Sequence, residues 1–322
     1  MARSTDDVAG LVARARDGEV RAVARLISLV EDASPLLREV MAALTPYAGR
    51  AHVVGLTGAP GVGKSTSTSA LVTALRAQDK RVGVLAIDPS SPFSGGALLG
   101  DRVRMGEHAT DPDVFIRSMA TRGQLGGLSW ATPQALRVLD AAGYDVVLLE
   151  TVGVGQSEVE VAGAADTTLV LLAPGMGDGI QAAKAGILEI GDVYVVNKAD
   201  RDGASQTSRE LRGMIAMTER PADGWTPPIV KTVATSGDGV ADVVTAIDDH
   251  LAWLEQSGER ERRRVRRTRA EIEAIALTTL RERWHGVSES ADLDALAAQV
   301  VSGESDPYAA ADRLLEEHSD NS

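Results

Sequence analysis

Residues 52–66 read HVVGLTGAPGVGKST, an apolar run that enters Gly58-Ala59-Pro60-Gly61-Val62-Gly63-Lys64-Ser65 and passes at Thr66 into helix-forming sequence. The G-x-x-x-x-G-K-[ST] pattern therefore stands in the strand, loop and helix context that gives it meaning. Its glycines allow a loop whose N–H groups surround phosphates, and the helix start adds a partial positive charge. Lys64 is then placed to reach β- and γ-oxygens, and Ser65 to ligate Mg2+. Gly58 through Thr66 form the candidate phosphate site.

Outward from this loop the texture is regular. The runs RVGVLAID, DVFIRSM, YDVVLLE, TTLVLLAP, DVYVVN and PIVKTVA follow HVVGLT, with helical stretches between them. Short continuous apolar runs are strands buried on both faces, and helices between them imply crossovers in a parallel sheet. The expected fold is α/β, a doubly wound, mostly parallel P-loop core over about residues 49–256. Before it, Val8, Leu11, Val12 and Ala15, then Val23, Leu26, Ile27 and Val30, then Leu37, Val40, Met41 and Leu44 recur at helical spacing. Residues 1–48 are thus expected to be a helical region. Residues 257–322 return to helical patterning, including Ile272, Ile275, Leu280 and Trp284, and close on SDPYAAADRLLEEH. Ser305 or Asp306 can cap that last helix, with Pro307 at its first position.

Further motifs sit where strands end. YDVVLLE runs into Glu150-Thr-Val-Gly153, a variant of D-x-x-G in which the carboxylate holds a Mg2+ water and the glycine N–H meets the γ-phosphate. Asp88 ends LAID, and Asp101 follows in GGALLGDRVRM, both offering a carboxylate toward the metal. Asp101 can equally cap a helix. DVYVVN leads into Asn197-Lys198-Ala199-Asp200, the N-K-x-D guanine motif. An aspartate that accepts from guanine N1–H and the 2-amino group would be left partly unpaired against adenine. The loop Ala234-Thr235-Ser236 lies where such proteins touch guanine O6 with a backbone N–H. Only five lysines occur, at 64, 80, 184, 198 and 231. In so arginine-biased a chain, Lys184 in PGMGDGIQAAKAG marks a place that wants a compact ammonium, with Asp178 beside it. An ordinary surface lysine is the alternative. Val154 stands where small Ras-like proteins have a water-orienting glutamine, so unassisted hydrolysis is expected to be slow. Gln156 and Arg104 are the nearest candidates for that assistance.

Composition closes off other classes. The 322 residues carry a net charge of −13, which disfavours non-specific nucleic-acid binding. Arg260 to Arg269 departs from this with seven arginines against one glutamate, about +6. It reads as a helix or linker paired with nearby acids, or as an anion- or partner-docking patch. No cysteine occurs, which excludes disulfide scaffolds and thiolate metal sites and fits a cytoplasmic setting. No apolar leader or spanning run is expected to take the chain into a membrane. The five histidines, at 52, 108, 250, 285 and 318, are scattered, against a metal-delivery GTPase. A partition-type ATPase would carry a second lysine where Ala59-Pro60 stands and would lack N-K-x-D. A P-loop kinase and a non-hydrolysing guanine-nucleotide scaffold are the other readings.

Taken together, GAPGVGKST, LAIDPSSPFSGGALLGDRVRM, LLETVGVGQSEVEVAGAAD, APGMGDGIQAAKAGILEIGDVYVVNKAD and SDPYAAADRLL resemble the methylmalonyl-CoA mutase-associated GTPase family (MeaB/ArgK-like). That family is among the dimerising P-loop GTPases, in the class of signal-recognition and nickel-chaperone GTPases, and the resemblance covers nearly the whole chain. It implies a homodimeric, Mg2+-dependent GTPase that acts as a chaperone for an adenosylcobalamin-dependent mutase, gating cofactor loading and guarding against inactivated cofactor. It further implies Mg2+ and switch acids at Asp88, Asp101 and Glu150, an additional switch over Asp178–Lys184, a catalytic arginine at Arg104 and a dimerising helical extension over about 262–318. The short TSGDGV near Ser236 departs from the family pattern and touches the base-contacting loop only.

Overall fold

The computed structural model describes residues 7–88, 106–108, 110–120, 130–151, 157–175, 188–217, 221, 223–283 and 291–319. By internal packing the chain divides into two units, Met1–Arg264 and Val265–Ser322.

In the first unit, helices α1 (Val8–Arg16), α2 (Val20–Glu31) and α3 (Leu37–Leu44) precede strand β1 (His52–Thr57) and helix α4 (Lys64–Arg76). Then come β2 (Val82–Asp88), β3 (Val114–Ala120), α5 (Thr132–Ala141), β4 (Val146–Thr151), α6 (Ser157–Ala164) and β5 (Thr167–Leu172). The short α7 (Leu188–Ile190), β6 (Val193–Val196), α8 (Ala204–Met217), β7 (Ile229–Lys231), α9 (Val240–Ser257) and the start of α10 (Glu259–Arg283) complete it. Each of the seven expected apolar runs is a strand, and they form one sheet in the order β3-β2-β4-β1-β5-β6-β7. All six pairings are parallel.

Successive side chains of a strand point to opposite faces, and the packing follows that alternation. On one face Val54, Leu56, Val84, Leu148, Leu169 and Leu171 pack with Leu71, Val72 and Leu75 of α4 and Val243, Val244 and Ile247 of α9. On the other, Leu85, Ile87, Val147 and Leu149 share a cluster with α5, Val161 of α6 and the buried stripes of α1, α2 and α3. Further along that second face Val170, Leu172, Tyr194 and Val196 pack against Leu211 and Ile215 of α8. The sheet is doubly wound, and the N-terminal helices belong to its apolar core.

At the N-terminal edge of the sheet lies a buried polar chain. His52 Nε2 is 2.7 Å from Thr167 Oγ1, which is 2.8 Å from His250 Nδ1. His250 Nε2 lies 3.3 Å from Asp192 Oδ1, and its ring is flanked by Trp225 and Trp253 at centroid distances of 4.8 and 5.7 Å. Arg263 donates to both oxygens of Asp192 at 3.0 Å, and Arg264 donates to Asp166 Oδ2 at 2.9 Å. Arg260 and Arg264 also reach the Ala51 carbonyl, at 3.2 and 2.9 Å. The first turns of the arginine-rich stretch are therefore paired with nearby acids, here against the edge of the core. Burial pushes the Asp192 carboxyl up, but His250 and Arg263 outweigh it and hold it below the usual carboxylate range. No helix among the described residues is long and apolar enough to cross a membrane.

The second unit comprises the remainder of α10, then α11 (Ala291–Ser302) and α12 (Pro307–Ser319). Asp306 caps α12 by accepting from Tyr308 and Ala309 N–H at 2.9 and 3.1 Å, with Pro307 at the first position. Within this unit Ile272, Ile275, Leu280, Val301 and Tyr308 are exposed.

Burial lowers the His52 imidazole to about 4, with Arg260, His250 and Arg264 adding to the effect and Asp166 opposing it. The unfolded chain thus binds a proton below pH ~6.5 that the folded chain refuses until about 4, so stability falls as pH drops through that window. Between pH 7.5 and 5 this single group should remove about 2 kcal/mol of folding stability. Urea unfolding across that range measures the slope, and His52→Gln should flatten it.

Candidate functional site

Parallel strands end on one edge of the sheet, and the loops there carry the motifs. β1 leads through Gly58–Gly63 into α4. Gly63 caps the helix at φ +97°, where a Cβ would come within 2.5 Å of Asn197 Nδ2. Only glycine satisfies both the positive φ and the approach of that amide. Lys64 is buried, and its Nζ donates to Gly58 O at 2.7 Å and Ala59 O at 3.2 Å. Its ammonium is held over the mouth of the loop.

β4 lies beside β1 with Leu56 opposite Glu150, which brings the acid to the first turn of α4. Ser65 Oγ donates to Glu150 Oε1 at 2.7 Å, and Thr68 Oγ1 lies 2.9 Å from Oε2. The carboxylate is buried. A carboxylate and a hydroxyl this close are hard oxygen donors of the kind that hold Mg2+ together with phosphate oxygens, and these residues fit that ion. Thr68 was not foreseen. Its signal was the three-residue spacing from Ser65, which places both hydroxyls on one helix face.

β6 delivers Asn197, whose buried amide joins three segments. Nδ2 donates to Val62 O at 2.9 Å, while Oδ1 accepts from Thr232 Oγ1 and from Ala234 N–H, both at 3.1 Å. The Ala234 N–H is thereby committed to Asn197 rather than presented outward. Lys198, at φ +56°, donates from Nζ to Gly61 O at 2.6 Å. Asp200 and Thr235 are exposed beside them. The structure thus brings the phosphate loop, Ser65, Glu150, the N-K-x-D residues and Ala234 to one edge. Ala59, Pro60 and Thr66 belong to the same loop and helix start. Asp88 ends β2, two strands from β1, with its side chain outside the described residues. Asp101, Arg104, Gly153, Gln156, Asp178 and Lys184 also lie outside them. Among the described residues no cluster of three or more His, Cys, Asp or Glu could hold a metal.

Replacing Asn197 by Ala leaves Val62 O, Thr232 Oγ1 and Ala234 N–H short of a buried partner. At about 1–3 kcal/mol for an unpaired buried group, the variant should lose about 2 kcal/mol or more of stability and bind nucleotide weakly. Denaturant midpoints and a nucleotide titration check both effects.

Comparison with known proteins agrees with this geometry. Residues 23–289 match the family described as methylmalonyl Co-A mutase-associated GTPase MeaB. A protein of Pyrococcus horikoshii named as a GTPase is 46% identical over 308 residues, covering 95% of this chain and 96% of the relative. GTPase ArgK of Escherichia coli is 37% identical over 254 residues, 77% of each chain. The crystal structure of a LAO/AO transport system kinase superposes with a TM-score of 0.73 at 28% identity, covering 99% of this chain and 100% of the other. The chain belongs to the methylmalonyl-CoA mutase-associated GTPase (MeaB) family and is a GTP hydrolase on the P-loop fold.

Proposed function

We propose that this GTPase takes Mg2+-GTP across the C-terminal ends of β1, β4 and β6 and acts as a homodimeric, cytoplasmic G-protein chaperone for an adenosylcobalamin-dependent mutase, methylmalonyl-CoA mutase. The observation that carries the site is the convergence on one edge of Lys64, the Ser65–Glu150 pair and Asn197, each within hydrogen-bond reach of the phosphate loop or its helix. The family supports the partner.

The chemistry follows from the residues. Backbone N–H groups of the loop and the start of α4 receive the phosphates, and Lys64 sets a compact positive charge against the β- and γ-oxygens. Ser65 and Glu150 would hold Mg2+, with Asp88 and Asp101 as further candidate acids; the ion, when bound, neutralises charge developing on the transferred phosphoryl group. Gly153 N–H meets the γ-phosphate. Asp200 accepts from the guanine edge, with Lys198 and the Ala234–Thr235 loop beside the base. Val154 leaves the attacking water unassisted, so turnover alone is slow; Arg104 or Gln156 supplies the help, and the Asp178–Lys184 segment reports the nucleotide state to the mutase.

The test is GTP turnover with purified methylmalonyl-CoA mutase present and absent. Hydrolysis should proceed without any phosphoryl acceptor and rise at least tenfold with the mutase, a lowering of the barrier by about 1.4 kcal/mol. No stimulation and no co-elution would sink the chaperone reading while leaving the GTPase intact, and a strict need for an acceptor would favour a kinase. Removing 265–322, which keeps Arg260, Arg263 and Arg264 on their partners, should leave a nucleotide-binding monomer, because that unit exposes Ile272, Leu280, Val301 and Tyr308. Sedimentation decides it: a truncated dimer would place the interface elsewhere.

A further inference from the structure

Thr68 lies in the second turn of α4 and is fully buried. Its Oγ1 is 3.0 Å from Lys64 O and 2.9 Å from Glu150 Oε2. A threonine inside a helix commonly bonds the carbonyl four residues back, and that contact by itself would need no acid. Here one hydroxyl proton has two acceptors. A hydrogen bond to a carboxylate is roughly twice as strong as one between neutral groups, so the proton goes to Glu150. Ser65 meanwhile takes Oε1 at 2.7 Å. The two oxygens of the acid are thereby engaged by two different hydroxyls from one helix face. The terminal torsion of a glutamate is broad and soft, and this pair of bonds restricts it.

The two hydroxyls are not equivalent. Ser65 follows the phosphate-loop lysine and, on the proposed reading, is the one that would meet the cation, whereas Thr68 sits a turn deeper, against the carboxylate's far oxygen. We propose that Thr68 is the positioning residue for Glu150: by holding Oε2 it keeps Oε1 turned to the Ser65 side, where the divalent cation accompanying the nucleotide is held. The inference rests on the reading of Ser65 and Glu150 as that cation's holders. It assigns Thr68 an effect on how strongly Mg2+ tightens nucleotide binding, separate from the binding of nucleotide itself.

The experiment measures the affinity of a fluorescent GDP analogue in a Mg2+ titration and in EDTA, alongside kcat and KM for GTP. Thr68→Val keeps the shape and removes the hydroxyl. Half-saturating Mg2+ should rise about tenfold, in line with the loss of one hydrogen bond to a charged group, while affinity in EDTA stays within about twofold. kcat should fall about tenfold with KM changed less than about threefold, and Thr68→Ser should bring the Mg2+ requirement back to within about threefold of the parent. If the valine variant does not fold, Thr68→Cys, which keeps the volume and offers only a weak donor, is read in the same way. An unchanged Mg2+ requirement overturns the proposal. So does an equal loss of affinity in Mg2+ and in EDTA, or a serine variant no better than valine, since each marks a structural role only. A parent protein whose GDP affinity ignores Mg2+ would instead remove the reading of Ser65 and Glu150, and this role with it.

Discussion

One side-chain amide holds the site together. Asn197 gives its N–H to the phosphate loop at Val62 and takes the Thr232 hydroxyl and the Ala234 N–H on its oxygen. An amide suits this place because it offers two N–H donors and a carbonyl acceptor with two lone pairs in one rigid, uncharged plane, enough for all three bonds. The loop after β1, the end of β6 and the loop after β7 are thereby locked in register. The residue it leans on, Gly63, must have no Cβ, so the glycine of the phosphate loop and the asparagine of the base motif constrain one another.

A second constraint acts at the opposite edge of the same strands. β1 starts at His52 and β5 at Thr167, and both sit in the chain of contacts that ends on Asp192 and Arg263. Buried acids are costly unless paired, and Asp166 and Asp192 are paired by guanidinium groups whose planar forks match carboxylates in a way an ammonium cannot. That explains why this part of a lysine-poor chain carries arginine. The apolar sandwich between the two edges supplies the stability, and the polar bonds at each edge set the register of what is attached there.

The catalytic side of the sheet shows the same economy of parts. Glu150 is brought to α4 by strand pairing, not by sequence proximity, and its carboxylate is received by hydroxyls that a helix spaces correctly. The helix start and Lys64 over the loop favour phosphate charge before any substrate arrives, and the hard oxygen donors beside them suit a divalent cation.

The sequence by itself determined the elements and their chemistry. Buried parallel strands must be apolar on both faces, so HVVGLT, YDVVLLE and TTLVLLAP announce themselves, and the helices before them carry stripes at a period of 3.6. The phosphate loop and N-K-x-D were equally legible, because their residue types are dictated by the groups they meet. What the tertiary structure alone decided was which distant partners meet. The order β3-β2-β4-β1-β5-β6-β7 brought Glu150 to Ser65 and Thr68 across 85 and 82 residues. Five consecutive hydroxyl residues run from Ser65 to Ser69, and the residue types alone do not say that Ser65 and Thr68 are the two that meet Glu150. Likewise the arginine-rich stretch reads in sequence as a helix or linker paired with nearby acids, or as a docking patch, but only the packing says that the acid for Arg264 is Asp166, 98 residues away. Local periodicity records which face is buried, whereas the partner of a buried polar group is set by chain packing, and no short window of sequence contains it.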